Sequence, residues 1–218
     1  MSDEILEFVK DRGIKEVVHF TTNHGLLGIL SRWAICSRQR LDIDKYLENI
    51  ALPNCEVRKD PQWLDYINLS ISVVNNPMLG SSQRWHDRPA DSEREAVWWA
   101  VLAFSPEILA DEGVWFTTTN NTYSAVVRRG QGIDGLRDLY SEPIPWGYYG
   151  SVKTRIDVPH DQPTDVQAEV LYPGELSLSK LQAVYVPRDE HLDEIEGWFG
   201  AFNRMRNCEI SCRPEVFQ

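Results

Sequence analysis

The run Ala96-Val97-Trp98-Trp99-Ala100-Val101-Leu102-Ala103-Phe104 is apolar on both sides of an extended chain. As a strand it needs a neighbour on each edge and cover on each face, which places it in the interior of a sheet. The remaining sequence offers the neighbours. Glu16-Val17-Val18-His19-Phe20-Thr21, Val114-Trp115-Phe116-Thr117-Thr118, Leu181–Val186 and Cys208–Cys212 all read as strands. In Tyr66-Ile67-Asn68-Leu69-Ser70-Ile71-Ser72-Val73-Val74, residues Ile67, Leu69, Ile71 and Val73 point one way and Asn68, Ser70 and Ser72 the other, until Asn75-Asn76-Pro77 breaks the strand. Three small polar groups in file either line a ligand cleft or face water.

Helical spacing covers these strands. Ile5, Leu6, Phe8 and Val9 lie on a short amphipathic helix stopped at Gly13, and Leu26, Leu27, Ile29 and Leu30 follow an N-cap at Thr22 or Asn23. Ser105-Pro106-Glu107 opens a short helix to Ala110, and Asp189 to Asn203 turns Leu192, Ile195, Trp198, Phe199 and Phe202 inward. Asp42–Leu47 has the start of another, within a polar stretch from Ile35 to Gln62, and Ser81 to Asp91 reads as a loop. About seven strands and four or five helices without regular βαβ alternation predict a single α/β domain of the α+β kind across residues 1–218.

Charge and motif content narrow the function. A net charge of −11 argues against a protein that coats nucleic acid or anionic membrane without specificity, so any nucleic-acid contact is local. The acidic start Met1-Ser2-Asp3-Glu4 has no apolar segment behind it and no apolar run is long enough to span a bilayer, so a cytoplasmic protein without membrane contact is expected. Cys36, Cys55, Cys208 and Cys212 lack zinc-ribbon spacing and read as reduced thiols, and neither a phosphate-loop motif nor H-E-x-x-H occurs, so no metal is expected.

Two stretches break the pattern of an ordinary core. Residues 119–164 are rich in Gly, Pro and Asn with little periodicity, the mark of a functional insertion. Between residues 128 and 155 the acidic trend reverses, with Arg128, Arg129, Arg137, Lys153 and Arg155 against Asp134, Asp138 and Glu142. Together with Trp146, Tyr148 and Tyr149 these supply phosphate charge and base-stacking surface for single-stranded nucleic acid; a mobile loop without a ligand has the same composition. The second stretch is Val166-Gln167-Ala168-Glu169-Val170-Leu171-Tyr172, which alternates as a strand with Gln167 and Glu169 on one face, ended by Pro173-Gly174. Glu169 is either a half-exposed strand residue or a rigidly held carboxylate beside a cleft. His19, at a strand end running into a helix N-terminus, is either a hydrogen-bonded structural histidine or part of a site for a polar ligand.

Taken together, His19-Phe20-Thr21 with Leu26-Leu27-Gly28-Ile29-Leu30 behind it, the polar-striped strand running into Asn75-Asn76-Pro77-Met78-Leu79, and Ala168-Glu169-Val170-Leu171 resemble the DarT-type DNA ADP-ribosyltransferase toxins. The resemblance implies a split β-sheet fold flanked by helices that binds NAD between two sheets, breaks its nicotinamide–ribose bond and passes ADP-ribose to a base in single-stranded DNA. It makes Glu169 the catalytic glutamate. His19, Phe20 and Thr21 become cofactor-binding residues at one of the riboses, and Ser70 and Ser72 frame the nicotinamide pocket. The loop ahead of Glu169, with Arg128, Arg129, Trp146, Tyr148, Tyr149, Lys153 and Arg155, becomes the DNA-contacting element. Arg58 is the first choice for the pyrophosphate and Arg38 the second. Thymidine-modifying members carry an aromatic, arginine-containing strand end where this chain has Ser70-Ile71-Ser72-Val73-Val74-Asn75, and an Asn where Gly25 lies, so the resemblance is to the guanine-modifying branch. It also implies a macrodomain antitoxin as partner. Two rival readings stand beside it: an ADP-ribosyltransferase acting on RNA or protein, and a non-enzymatic nucleic-acid-binding domain in which Glu169 is structural.

Overall fold

A computed structural model describes residues 2–41, 61–86, 97–147, 150–202 and 208–218. The apolar run forms β4 (Trp99–Phe104), and its side chains from Ala100 to Phe104 are fully buried. β4 pairs antiparallel with β1 (Val17–Thr22) along one edge and with β11 (Leu181–Val186) along the other. Beyond β11 lies β12 (Glu209–Cys212), the one parallel neighbour, and beyond β1 come β3 (Tyr66–Ile71), β9 (Glu169–Pro173), β5 (Trp115–Thr117) and β6 (Arg129–Gln131). The result is an eight-stranded mixed sheet. Its weak seam is between β1 and β3, which share only Val17↔Ile71 and Val18↔Ser70, and this is the split in the sheet.

Hydrophobic side chains hold helices to one face. Val17, Ile67, Leu69, Ile71, Leu102, Phe104, Phe116, Val170 and Val184 pack under α1 (Ser2–Arg12), α2 (Asn23–Arg32) and α6 (Glu190–Ala201), which contribute Ile5, Val9, Leu26, Leu30, Ile195 and Phe199. On the opposite face a smaller cluster of Val18, Val101, Ala103, Ala183 and Tyr185 is covered by Val74 and by Leu79 of α4 (Asn76–His86). Directly opposed residues in antiparallel strands share a face. Past β1 this second face therefore changes character, carrying Asn68, Ser70, Glu169, Thr117 and Arg129 where the apolar cluster stops.

Several expectations are corrected. The polar-striped strand ends at Ile71, because Ser72 takes a left-handed conformation (φ 59°) and turns the chain out of the sheet. Asn75-Asn76-Pro77 is a helix start as well as a strand end. The Asn75 side chain accepts from Met78 N at 3.1 Å, proline is tolerated in the first turn, and the helix runs through residues expected to form a loop, to His86. The strand around Glu169 begins at Glu169 itself, since residues 165–168 form a turn in which Asp165 Oδ1 accepts from Gln167 N and Asp165 O from Ala168 N. Gln167 and Glu169 are thus not strand neighbours on one face.

The insertion at 119–164 is a folded unit. It contains β6, α5 (Gly132–Asp138) and a hairpin of β7 (Ile144–Pro145) with β8 (Val152–Lys153), and its Leu136, Leu139 and Ile144 are buried. β2 (Ala34–Cys36) and β10 (Glu175–Ser177) make a second small pair, and α3 (Arg38–Leu41) follows β2. These two- and three-residue strands bring the described total to twelve, above the number that periodicity reveals. The candidate helix at Asp42–Leu47 lies outside the described residues. None of the described helices is long and apolar enough to cross a membrane.

Where α5 crosses β6 the backbones touch: a Cβ on Gly135 would meet the Gly130 carbonyl carbon at 2.4 Å. Gly135→Ala forces β6 and α5 apart and should lower the melting temperature by several degrees, at about 2–4 °C per kcal/mol for a chain this size. Gly197→Ala, in α6 with open space around it, should leave the melting temperature unchanged or raise it. Differential scanning calorimetry of the two variants checks both.

Candidate active site

The site forms where β1 and β3 part. His19 follows the last β1 residue that pairs with β3 and donates from Nδ1 to the Asn68 carbonyl across the gap, at 3.0 Å. A carbonyl accepts only from a protonated nitrogen, so the neutral ring carries its proton on Nδ1 and presents Nε2 as an acceptor. Burial pushes the His19 pKa below its ordinary 6.5, the Asn68 bond opposes this, and the nearby Arg38 guanidinium lowers it further. Arg38 thus belongs to the same neighbourhood as His19.

The rest of β1 seats α2. Thr22 is the N-cap, accepting from Gly25 N at 3.2 Å, which resolves the choice between Thr22 and Asn23. The Thr21 hydroxyl lies against the first helical turn, where a Cβ on Gly25 would come within 2.1 Å of it, so the absence of a side chain at Gly25 makes room for Thr21. Phe20 turns to the smaller core and packs on Trp99, with ring centroids 5.8 Å apart.

Across the gap, Glu169 opens β9 with its side chain on the polar face and only 6% exposed. Its Oε2 accepts from Asn121 N at 3.0 Å, and its own amide donates to Thr117 Oγ1 at 3.2 Å. Thr117 lies opposite Glu169 on one side and Arg129 on the other. The β3–β9 register, carried one rung past Leu69↔Val170, sets Ser70 beside Glu169 as well. The turn before Glu169 is held by buried Asp165, whose Oδ2 accepts from Thr119 Oγ1 at 2.6 Å. An aromatic ledge flanks this row, with Trp63 packed on Tyr66 and Trp115 and the Arg129 guanidinium over the Trp63 ring.

The basic residues of the insertion separate into three uses. Arg129 donates from Nε and Nη2 to the side-chain and backbone oxygens of Asn121, at 2.7 and 2.8 Å. Arg155 donates to the Gln162 and Pro159 carbonyls and to Thr164 Oγ1, and packs on the buried Tyr140 ring. Arg128, which reaches Ser141 Oγ, and Arg137, 3.8 Å from Asp134, are exposed, and half-buried Lys153 is stacked 4.4 Å from the Trp146 ring, in a segment that exposes Val152 and Ile156. Ser72 donates to the Asp161 carbonyl and so ties the loop instead of lining the polar face. Arg58, Tyr148 and Tyr149 lie outside the described residues. Among those described, no group of three or more His, Cys, Asp or Glu could hold a metal ion.

Periodicity does not point to Thr117, Thr119, Asn121 or Asp165, because each acts through a local side-chain or backbone bond. The signal present is the density of Thr, Asn and Asp at strand ends, residues that satisfy backbone groups where ladders stop.

A family model described as "ssDNA thymidine ADP-ribosyltransferase, DarT" matches residues 18–218. The structure is similar to that of Thermus sp. 2.9 DarT in complex with NAD+, with a TM-score of 0.63 and 15% identity over 94% of this chain and 98% of that one. It is similar also to the same protein in complex with ADP-ribosylated ssDNA, with a TM-score of 0.64 and 14% identity over 94% and 97% of the two chains. Thermosipho africanus DarTG in complex with ADP-ribose gives 0.59 at 18% identity over 93% of this chain and 51% of that longer chain. None of the curated proteins matches the chain.

The state of His19 has a consequence for stability. A histidine kept neutral by burial contributes stability that is present above its unfolded pKa and lost as pH falls below about 6.5. His191, whose pKa burial also lowers, adds to the same limb. His19→Asn keeps a donor but not the titration, so its melting temperature should fall less than the wild type's between about pH 7 and about pH 5. Thermal melts across that range measure the difference.

Proposed function

The chain belongs to the DarT family, and on that premise we propose that it is an NAD-dependent ADP-ribosyltransferase acting on single-stranded DNA, with Glu169 as its catalytic carboxylate. The observation that carries the assignment is the placement of Glu169. It is a buried carboxylate at the first residue of a strand, beside the seam where β1 and β3 part, with one oxygen fixed by a backbone amide.

The chemistry follows from that placement. When the bond between the nicotinamide nitrogen and ribose C1 breaks, its electron pair leaves with neutral nicotinamide and the sugar becomes oxocarbenium-like. A carboxylate already oriented before the reaction stabilises that charge with little reorganisation. A nitrogen of the target base then bonds to C1, and the carboxylate takes the proton that the base releases. His19 Nε2 accepts from a hydroxyl of one of the two riboses, a role that ends when the ring is protonated. Arg38, close to His19, is the described cation we assign to the pyrophosphate; Arg58 remains the alternative from the sequence. Ser70, beside Glu169 in register, lines the nicotinamide pocket.

DNA is bound in this reading by Arg128 and by the Lys153–Trp146 pair on the β7–β8 hairpin, a cation and a ring of the kind that hold a phosphate and a base. Guanine is the base we propose, on the residues at Gly25 and Ser70–Asn75; the family's description names thymidine, so oligonucleotides lacking one base or the other decide between them. A macrodomain that removes the modification is the partner we propose, consistent with the longer DarTG chain of which this one spans 51%.

Glu169→Gln keeps the volume and an acceptor for Asn121 N while removing the charge. Transfer of ADP-ribose should fall by about 10²–10³ or more with little change in melting temperature. Retained transfer from labelled NAD, followed by mass spectrometry on single-stranded oligonucleotides, would sink the assignment. Lys153→Glu should raise the KM for oligonucleotide and leave that for NAD unchanged.

A further inference from the structure

Asn121 bonds the carboxylate of Glu169 directly and is itself gripped by Arg129. Its amide donates to Glu169 Oε2, and its two oxygens are both taken by Arg129, Nε to Oδ1 at 2.7 Å and Nη2 to the backbone carbonyl at 2.8 Å. Asn121 is almost fully buried, at 1% exposure. A guanidinium that holds the side-chain oxygen and the backbone carbonyl of Asn121 fixes its side chain and the peptide that follows it, because the fork is rigid and the two bonds cannot rotate independently, and so restrains the Cα that also carries the amide. β6 in turn fixes Arg129, since its Cα lies opposite Thr117, which lies opposite Glu169, and the Gly130–Gly135 backbone contact holds β6 against α5. The residue whose amide points at the carboxylate is thus held on its other side by the strand two places away from β9 in the sheet.

We infer that Arg129 is a positioning residue for Glu169, acting through Asn121, and not a contact for nucleic-acid phosphate. The inference rests on the reading of Glu169 as the catalytic carboxylate. The two bonds to Asn121 take up the Nε–Nη2 edge of the guanidinium, one of the two edges that could grip a phosphate bidentately, and the Trp63 ring lies 5.7 Å from the guanidinium carbon. Losing Arg129 frees the Asn121 side chain and the peptide after it, the Cα between them and the amide can turn, and the carboxylate loses its fixed orientation in the step where charge develops.

Steady-state transfer to a single-stranded oligonucleotide, at saturating NAD and at two salt concentrations, separates the alternatives. For Arg129→Lys and Arg129→Gln, kcat should fall by about 10–100-fold with KM for the oligonucleotide and its salt dependence unchanged. Lysine keeps the charge and loses the fork, so it rescues a phosphate contact but not a positioning role. Asn121→Ala keeps the amide and loses one acceptor, and should lower kcat less. Combined with Arg129→Gln it should add little, because the two changes break the same link. Near-wild-type kcat in Arg129→Lys, a raised KM with a shallower salt slope in Arg129→Gln, or multiplicative losses in the double variant would each overturn the inference. If Arg129→Gln melts below the assay temperature, Arg129→Lys and Asn121→Ala give the same split. Full activity in Glu169→Gln is a separate failure, of the catalytic assignment itself.

Discussion

When β1 and β3 part after Val18↔Ser70, the next bonded rung, Phe20 with Asn68, is missing, and the Asn68 carbonyl loses the amide that a continued ladder would bring. A buried peptide oxygen without a partner costs about 1–3 kcal/mol. His19 supplies the missing donor from its ring, so the sheet opens without leaving that oxygen bare. The side chain that makes the opening tolerable is also fixed by it. A ring bonded at Nδ1 has one tautomer and one orientation, and its remaining nitrogen faces away from the Asn68 carbonyl as an acceptor.

The same economy appears on the far side of the seam. Thr117, Thr119 and Asp165 satisfy amides and hydroxyls where β5 and β9 end, and in doing so they bring Glu169 to the first position of its strand with its carboxylate against the Asn121 amide. Strand ends are where backbone groups need side-chain partners, and a carboxylate placed there can be buried without being enclosed by further strand. The polar face of the sheet is continuous with the apolar cluster around Val18 and Val101, so the site stands on a packed base instead of on loops alone.

Much of this frame was legible in the residues. The doubly apolar run did mark the central strand, and the alternation at Tyr66–Ile71 did mark a strand with one polar face. Helix spacing found α1, α2 and α6. What periodicity could not reveal were elements too short to show a period, such as β6 and the β7–β8 hairpin, and a helix whose start doubles as a strand break. The sequence offered Arg128, Arg129, Arg137, Lys153 and Arg155 as one basic group, because charge is visible in a sequence and its partners are not. Their bonds divide them: Arg155 pins the loop and Arg129 grips Asn121, while Arg128 and Lys153 reach the surface.

That division changes what the net charge of −11 means for the family's chemistry. A protein that relies on broad phosphate contact gains affinity with each cation and loses it steeply in salt. Here two of the insertion's five cations, Arg129 and Arg155, are bonded inside the fold, so few are left for a strand of DNA, and the acidic remainder of the chain disfavours nucleic acid elsewhere. Such a surface suits local and not general contact with DNA, and the Lys153–Trp146 pair proposed for that contact belongs to the same insertion as Arg129. β6 and the hairpin belong to one folded unit packed through Leu136, Leu139 and Ile144, and a close-packed core leaves little slack between them. On the roles proposed above, the DNA-contacting hairpin and the strand that holds Arg129 share one packed unit, so the insertion ahead of Glu169 is as much part of the site's scaffold as the sheet it leans on.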